Sequence, residues 1–253
     1  MLPDASLPPE AFALLAVILL GAFTVETALG FGATLIAVAL GSFVLPIDHL
    51  LHSLVPLNLG LSLWIAVRHR DAVAWDFLLR RLLPRMAVGL PFGLALVGHA
   101  DPSLLKRTFG AFLVVLSTLE LRRLRQPASA QPPALRRAAE WLLLLAGGVI
   151  HGAFGTGGPM AVYVTGRALP DKGTYRATLA VLWASLNLAL LATYAAQGAF
   201  DAPRLTLTAG LLPCCALGLG LGEWAHRRVS PAAFRPLVFL GLCAAGIVLL
   251  VRG

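Results

Sequence analysis

Leu82-Leu83-Pro84, followed by Gly89-Leu90, Gly93 and Pro102, returns later in the chain as Leu211-Leu212-Pro213, Gly218-Leu219, Gly222 and Pro231. All of these positions are related by one offset of 129 residues. The same offset carries Leu57-Asn58-Leu59 onto Leu186-Asn187-Leu188. Upstream, Phe31-Gly32 meets Phe154-Gly155 at an offset of 123, so the copies differ there by a six-residue insertion or deletion. Self-similarity at a fixed period, in an apolar chain, is the pattern of a carrier built from two structural repeats with its site between them.

The composition says what solvent those repeats face. Hydrophobic residues make up 58% of the chain, charged residues 13%, and the mean hydropathy is +0.82. Soluble domains carry about twice that charge. Apolar runs follow one another almost without pause. The expected class is therefore an all-α polytopic membrane protein with two inverted-topology repeats of about five helical segments each. Repeat one covers residues 1–125, a cytoplasmic linker 126–139, and repeat two 140–253. The formal charge of +8 does not point to nucleic acid, because the cations sit in loops between apolar segments. The first ten residues hold Asp4 and Glu10 and no Lys or Arg, unlike the basic start of a signal peptide, so this segment is expected to remain. Cys214, Cys215 and Cys243 lie within apolar runs, show no metal-ligand spacing and read as buried small hydrophobes.

Helical segments are expected at about 11–29, 33–45, 50–67, 77–97 and 104–120, then 140–153, 158–168, 176–196, 204–223 and 233–251. Segments 33–45 and 158–168 fall short of the roughly 20 residues a span needs. Each follows a glycine break: Gly30-Phe31-Gly32 in the first half, and Gly155-Thr156-Gly157-Gly158-Pro159 in the second. Each repeat therefore opens with a broken helical hairpin, either crossing fully or turning back, whose irregular backbone must face protein or a cavity.

Loop charges orient the threading. Arg68, Arg70, Arg80, Arg81 and Arg85 flank one loop; Arg122, Arg123, Arg125, Arg136 and Arg137 flank the next basic region. Arg167, Lys172 and Arg176, then Arg227, Arg228 and Arg235, complete 16 of the 20 Lys and Arg on one face, which the positive-inside rule makes cytoplasmic. Lys106, Arg107, Arg204 and Arg252 remain for the other face. Matching loops of the two halves fall on opposite faces, so the halves are inverted and both termini are expected outside the cytoplasm.

Helix starts expose N–H groups and a partial positive charge, and bind anions without a formal cation. Gly30, Gly32, Gly155, Gly157 and Gly158 would let a small oxyanion approach the backbone, with Phe31 between the first pair and Thr34 and Thr156 adding hydroxyls. Isolated glycines such as Gly21, Gly60 and Gly110 read as helix-packing positions. Asn58 and Asn187, equivalent in the two halves, either line the pathway or bond a neighbouring helix. Glu26 lies four residues before Gly30 in an apolar run. A charged carboxyl there is costly, so it takes a partner or holds a proton. It is either the proton-coupling group or a hydrogen-bonded structural acid. His151 stands in the matching hairpin with the same two readings. There is no HExxH, no GxSxG and no P-loop, and no cofactor, metal or enzymatic activity is expected.

Thr27-Ala28-Leu29-Gly30-Phe31-Gly32 with Pro46 downstream, and Gly152-Ala153-Phe154-Gly155-Thr156-Gly157-Gly158-Pro159, resemble the TauE/SafE (sulfite exporter, TSUP) family. So do Tyr175-Arg176-Ala177-Thr178-Leu179-Ala180 and Leu221-Gly222-Glu223-Trp224 followed by Arg227-Arg228-Val229-Ser230-Pro231. The resemblance covers about residues 15 to 250. It implies a bacterial inner-membrane carrier of small anions such as sulfite, sulfoacetate or related organosulfonates, dependent on the proton gradient. The alternatives are an anion channel on the same scaffold and a membrane scaffold protein that transports nothing.

Overall fold

The computed structural model describes residues 7–99, 101–124, 135–228 and 231–252. Among these there are ten main helices and no strand. They are α1 (Pro9–Leu29), α2 (Ala33–Gly41), α3 (Ile47–Arg68), α4 (Trp75–Gly98), α5 (Pro102–Leu124), α6 (Arg137–Phe154), α7 (Gly158–Ala168), α8 (Lys172–Ala196), α9 (Ala202–Arg228) and α10 (Pro231–Arg252). The protein is thus an all-α polytopic membrane protein. Helices α1, α3, α4, α8 and α9 are long and apolar enough to cross a bilayer by length and composition. Large apolar side chains such as Trp64, Phe92, Leu142, Leu217 and Leu237 stand exposed around the bundle. Water would penalise that surface, whereas lipid chains cover it without cost. Part of the expected linker, residues 126–134, lies outside the described residues, and α6 begins at Arg137, before its end.

The short segments are short for a visible reason. Gly30 and Gly32 adopt φ of +85° and +116°, and Gly155 adopts +63°, a left-handed backbone that L side chains resist. These residues end α1 and α6 and let a new helix start at once. Helix α2 then runs for only 9 residues and α7 for 11. At 1.5 Å per residue these cover about 14 and 17 Å, half of a hydrocarbon core of about 30 Å. The expected segment 33–45 stops at Gly41, and a turn carries the chain to Pro46.

Packing follows the repeated glycines. Helix α4 lies on α6, and α1 lies on α9. A methyl group at Gly89 would strike the carbonyl oxygen of Leu145, and one at Gly93 that of Val149. From the other side, Gly148 and Gly152 are blocked by the carbonyls of Met86 and Leu90. Their equivalents at the 129 offset, Gly218 and Gly222, press on Leu20, Phe23, Thr24 and Thr27 of α1. Glycines four residues apart share one helix face and let backbones approach closely. Of the single glycines assigned to packing from sequence, Gly110 does meet Gly246 across α5 and α10. Gly21 and Gly60 meet nothing within 4 Å, because a lone glycine does not reveal which face is covered.

The remaining large contacts are α5 with α10 and α3 with α8. Helices carry internal prolines at Pro56, Pro91, Pro213 and Pro236. A π-helical turn, Leu78–Leu82, precedes Pro84 in α4, where the missing proline N–H leaves a carbonyl one turn back without its donor.

Candidate functional site

Both glycine breaks open onto one buried cavity. It is lined by Glu26 from α1, Phe31, Gly32 and Thr34 at the start of α2, and Asn58 from α3. The second half contributes His151 from α6, Gly155, Thr156, Gly157 and Gly158 at the start of α7, and Trp183 and Asn187 from α8. Every candidate drawn from the sequence lines this cavity except Gly30, which stands just behind it. The Gly30 carbonyl accepts a hydrogen bond from Trp183 Nε1 at 3.2 Å. Glu26, Thr34, Asn58, His151, Thr156 and Asn187 are all buried.

The start of α2 is already occupied. Ala33 N–H donates to Glu26 Oε2 at 2.6 Å. Asn58 Nδ2 donates to both carboxylate oxygens, at 3.1 and 3.2 Å, and also approaches Thr34 Oγ1 at 3.4 Å. A negative side chain at a helix start is stabilised by the exposed N–H groups and the helix dipole. The expectation of two free helix ends is therefore corrected at α2, whose first N–H is bound by the chain's own carboxylate.

The start of α7 is different. Gly157 N–H donates to His151 Nδ1 at 3.2 Å. In a neutral imidazole this leaves the proton on Nε2. That atom is buried beside Asn187 and makes no hydrogen bond of normal geometry. The ring lies parallel to Trp183, with centroids 5.9 Å apart and planes at 13°. Among the described residues, no carboxylate bonds to this second helix start.

The two matched asparagines meet. Asn187 Nδ2 donates to Asn58 Oδ1 at 2.9 Å, and Ser62 Oγ donates to the same oxygen at 3.2 Å. Hydrogen bonds thus run in one sense from Asn187 through Asn58 to Glu26, across the two halves. Each asparagine therefore bonds a neighbouring helix and also lines the cavity. The cavity volume is ≈ 20 Å³, room for about one water-sized group. A sulfur oxyanion would need its walls to part.

Trp183 was not among the sequence candidates. It lies four residues before Asn187, hence on the same helix face, and an indole N–H in an apolar helix needs an acceptor. Those two facts were its signal. Trp183→Phe should remove the bond to Gly30 and cost about 1 kcal/mol of stability. Thermal unfolding in detergent micelles checks this, and an unchanged transition would mean that the bond holds nothing.

Outside the membrane spans, the Thr174 backbone N–H and hydroxyl hold the Asp171 carboxyl below its ordinary range. The N-terminal cap of α8 therefore stays charged in mildly acidic solution, and is lost only as pH falls through that lowered value.

Paired half-helices facing one buried polar cavity, within a bundle of lipid-facing helices, define the class: a polytopic membrane transporter. The chain belongs to the sulfite exporter TauE/SafE family, whose pattern matches residues 14–249. It is also 30% identical over 169 residues to the "Probable inner membrane transporter protein TsaS" of Comamonas testosteroni, covering 66% of this chain and 69% of that protein. No solved structure matches the chain.

Proposed function

We propose that the protein is a secondary carrier that moves a small sulfur-containing anion, of the sulfite or organosulfonate type, across the bacterial inner membrane with proton coupling. The observation that carries this is the convergence of two half-helix starts, two asparagines at the repeat offset, one carboxyl and one imidazole on a single buried cavity. The family and the relative agree with a transporter. The anion is assigned to the α7 start. There it finds the Thr156 hydroxyl, first-turn N–H groups that no helix carbonyl can satisfy, and the Nε2–H of His151, with no formal negative charge on that helix. His151 serves there as a neutral donor, since its Nδ1 is committed to Gly157. Glu26 is the proton-coupling group. In its charged form it holds α2, and protonation removes a negative charge from the cavity that the anion enters.

The two halves are read as inverted copies. Helix α4 on α6 and α9 on α1 are equivalent pairs under exchange of the halves, while α3·α8 and α5·α10 each join equivalent helices. Rocking one half against the other would present the cavity to each face in turn. The basic loops are then cytoplasmic and both termini lie on the opposite side.

Labelled sulfite efflux from proteoliposomes, with and without an imposed pH gradient, tests the whole reading. Gradient-dependent efflux above empty liposomes is expected; its absence in folded protein removes sulfite as substrate. Currents too fast for a carrier would favour the channel. Thr156→Val should weaken sulfite affinity about tenfold, the worth of about 1.4 kcal/mol, with unfolding unchanged. Equal affinity would take Thr156 out of the site.

A further inference from the structure

A second, larger cavity of ≈ 210 Å³ lies next to the first, and Phe31 lines both. It is bounded by the ends of α1, α5 and α9, by α7, and by the start of α8. Its charged lining is Arg123, Lys172, Arg176 and Glu120, with His226 beside them. Arg123 pairs with Glu120 at 3.4 Å and lies over the Tyr163 ring. Arg176 pairs with Glu223 of α9. The Arg176 side chain is only 7% exposed, yet its Nε is buried with no hydrogen-bond partner. Lys172 has no ion pair among the described residues. The neighbouring Asp171 carboxylate is turned onto Thr174 N–H and hydroxyl, at 2.7 and 2.9 Å. His226 Nδ1 lies 2.8 Å from the Ala28 carbonyl.

The charge in this chamber is therefore unbalanced towards the cations, and one buried guanidinium N–H is left to be satisfied. Low-dielectric walls concentrate such a field, and a guanidinium fork matches a tetrahedral or pyramidal oxyanion. The chamber is roomy enough for an anion that keeps part of its water, whereas the inner cavity is not. We infer that this chamber is a second binding site, for a small sulfonate-, sulfite- or phosphate-type oxyanion, and that it loads the inner site through the Phe31 partition. The loading role rests on the transport reading above; the binding site does not.

The test is calorimetric titration of the purified full chain with sodium sulfate in uncharged detergent, run alongside tryptophan emission. Trp183 stacks at the inner site, so the part of the emission change that is lost in Trp183→Phe reports on it; calorimetry counts both sites. Lys172→Gln should weaken the chamber's sulfate binding about tenfold and leave the emission change in place, and Lys172→Arg should restore it. Sulfate binding identical in Lys172→Gln and the wild type would overturn the proposal. Addition of phosphatidylglycerol separates the two sources of such an anion. Sulfate binding indifferent to the lipid supports a loading site, while displacement by the lipid assigns the chamber to a headgroup and overturns the loading role. Chamber binding in a protein that moves no sulfite would remove sulfite as the transported anion and leave the site standing.

Discussion

Glu26→Gln is expected to transport at one rate whether or not a pH gradient is imposed, while the wild type is accelerated about tenfold by the gradient. The variant should fold, because a glutamine oxygen can still accept from Ala33 N–H and stand beside Asn58. What it cannot do is exchange a proton. In the wild type, a bound anion and a charged Glu26 would share one small cavity, and like charges at such range repel strongly in a medium of low dielectric constant. The groups facing Glu26 are Ala33 and Thr34 of α2 and Asn58 of α3, with His151 and Asn187 across the cavity. None is a fixed cation that could offset the second charge. Anion affinity in the wild type should therefore weaken as pH rises, and in Glu26→Gln it should stay flat. Titrations with a simple alkylsulfonate, whose own charge does not change from pH 5 to 8, distinguish the cases. Parallel pH profiles in the two proteins would show that Glu26 is only a helix cap.

The second large effect concerns stability. Glu140, near the start of α6, is buried and accepts from Arg81 Nε at 3.1 Å and from Arg81 Nη2 at 2.5 Å. Arg85 pairs with the same carboxylate and is itself 7% exposed. Arg81 and Arg85 belong to α4, so this cluster clamps the helices whose glycines already interlock. Glu140→Ala would leave the Arg85 charge buried without its partner. Removing one member of a buried pair costs about 3–5 kcal/mol, and the low end is expected because Arg81 is half exposed and can turn to water. Replacing both Arg85 and Glu140 by leucine should recover most of that loss, since apolar groups of similar volume leave no charge stranded. Unfolding in detergent, compared across the single and double variants, decides the matter. A double variant as unstable as Glu140→Ala would show that the cost lies in lost packing.

What sequence could and could not reveal divides by distance along the chain. The helices were legible because apolar runs and glycine breaks are local. The cavity lining was legible because repetition marks equivalent positions: Asn58 and Asn187, or the two glycine clusters, single each other out. Glu26 was found by its cost in an apolar helix, but its bond to Ala33 was not, since it depends on how α1 turns into α2. The Glu140 cluster joins residues 55 and 59 positions apart, and Arg123 of α5 meets Lys172 and Arg176 of α8 at one chamber only through tertiary packing. Nothing periodic announces such meetings.

The bond between Asn58 and Asn187 makes the two halves unlike. On the proposed inverted arrangement, equivalent amides face each other about a two-fold axis. The amides form one bond there and not a reciprocal pair, so one side gives the hydrogen, Asn187, and the other, Asn58, receives it. In a dimer of identical chains, the two directions of such a single bond would have equal energy. A single chain carrying both copies can place an acid beside one amide alone. Glu26 does so, with Val149 at the matching position of the other half, and it draws the Asn58 N–H groups towards itself. On that arrangement, two unlike halves within one chain give the bond a lasting direction.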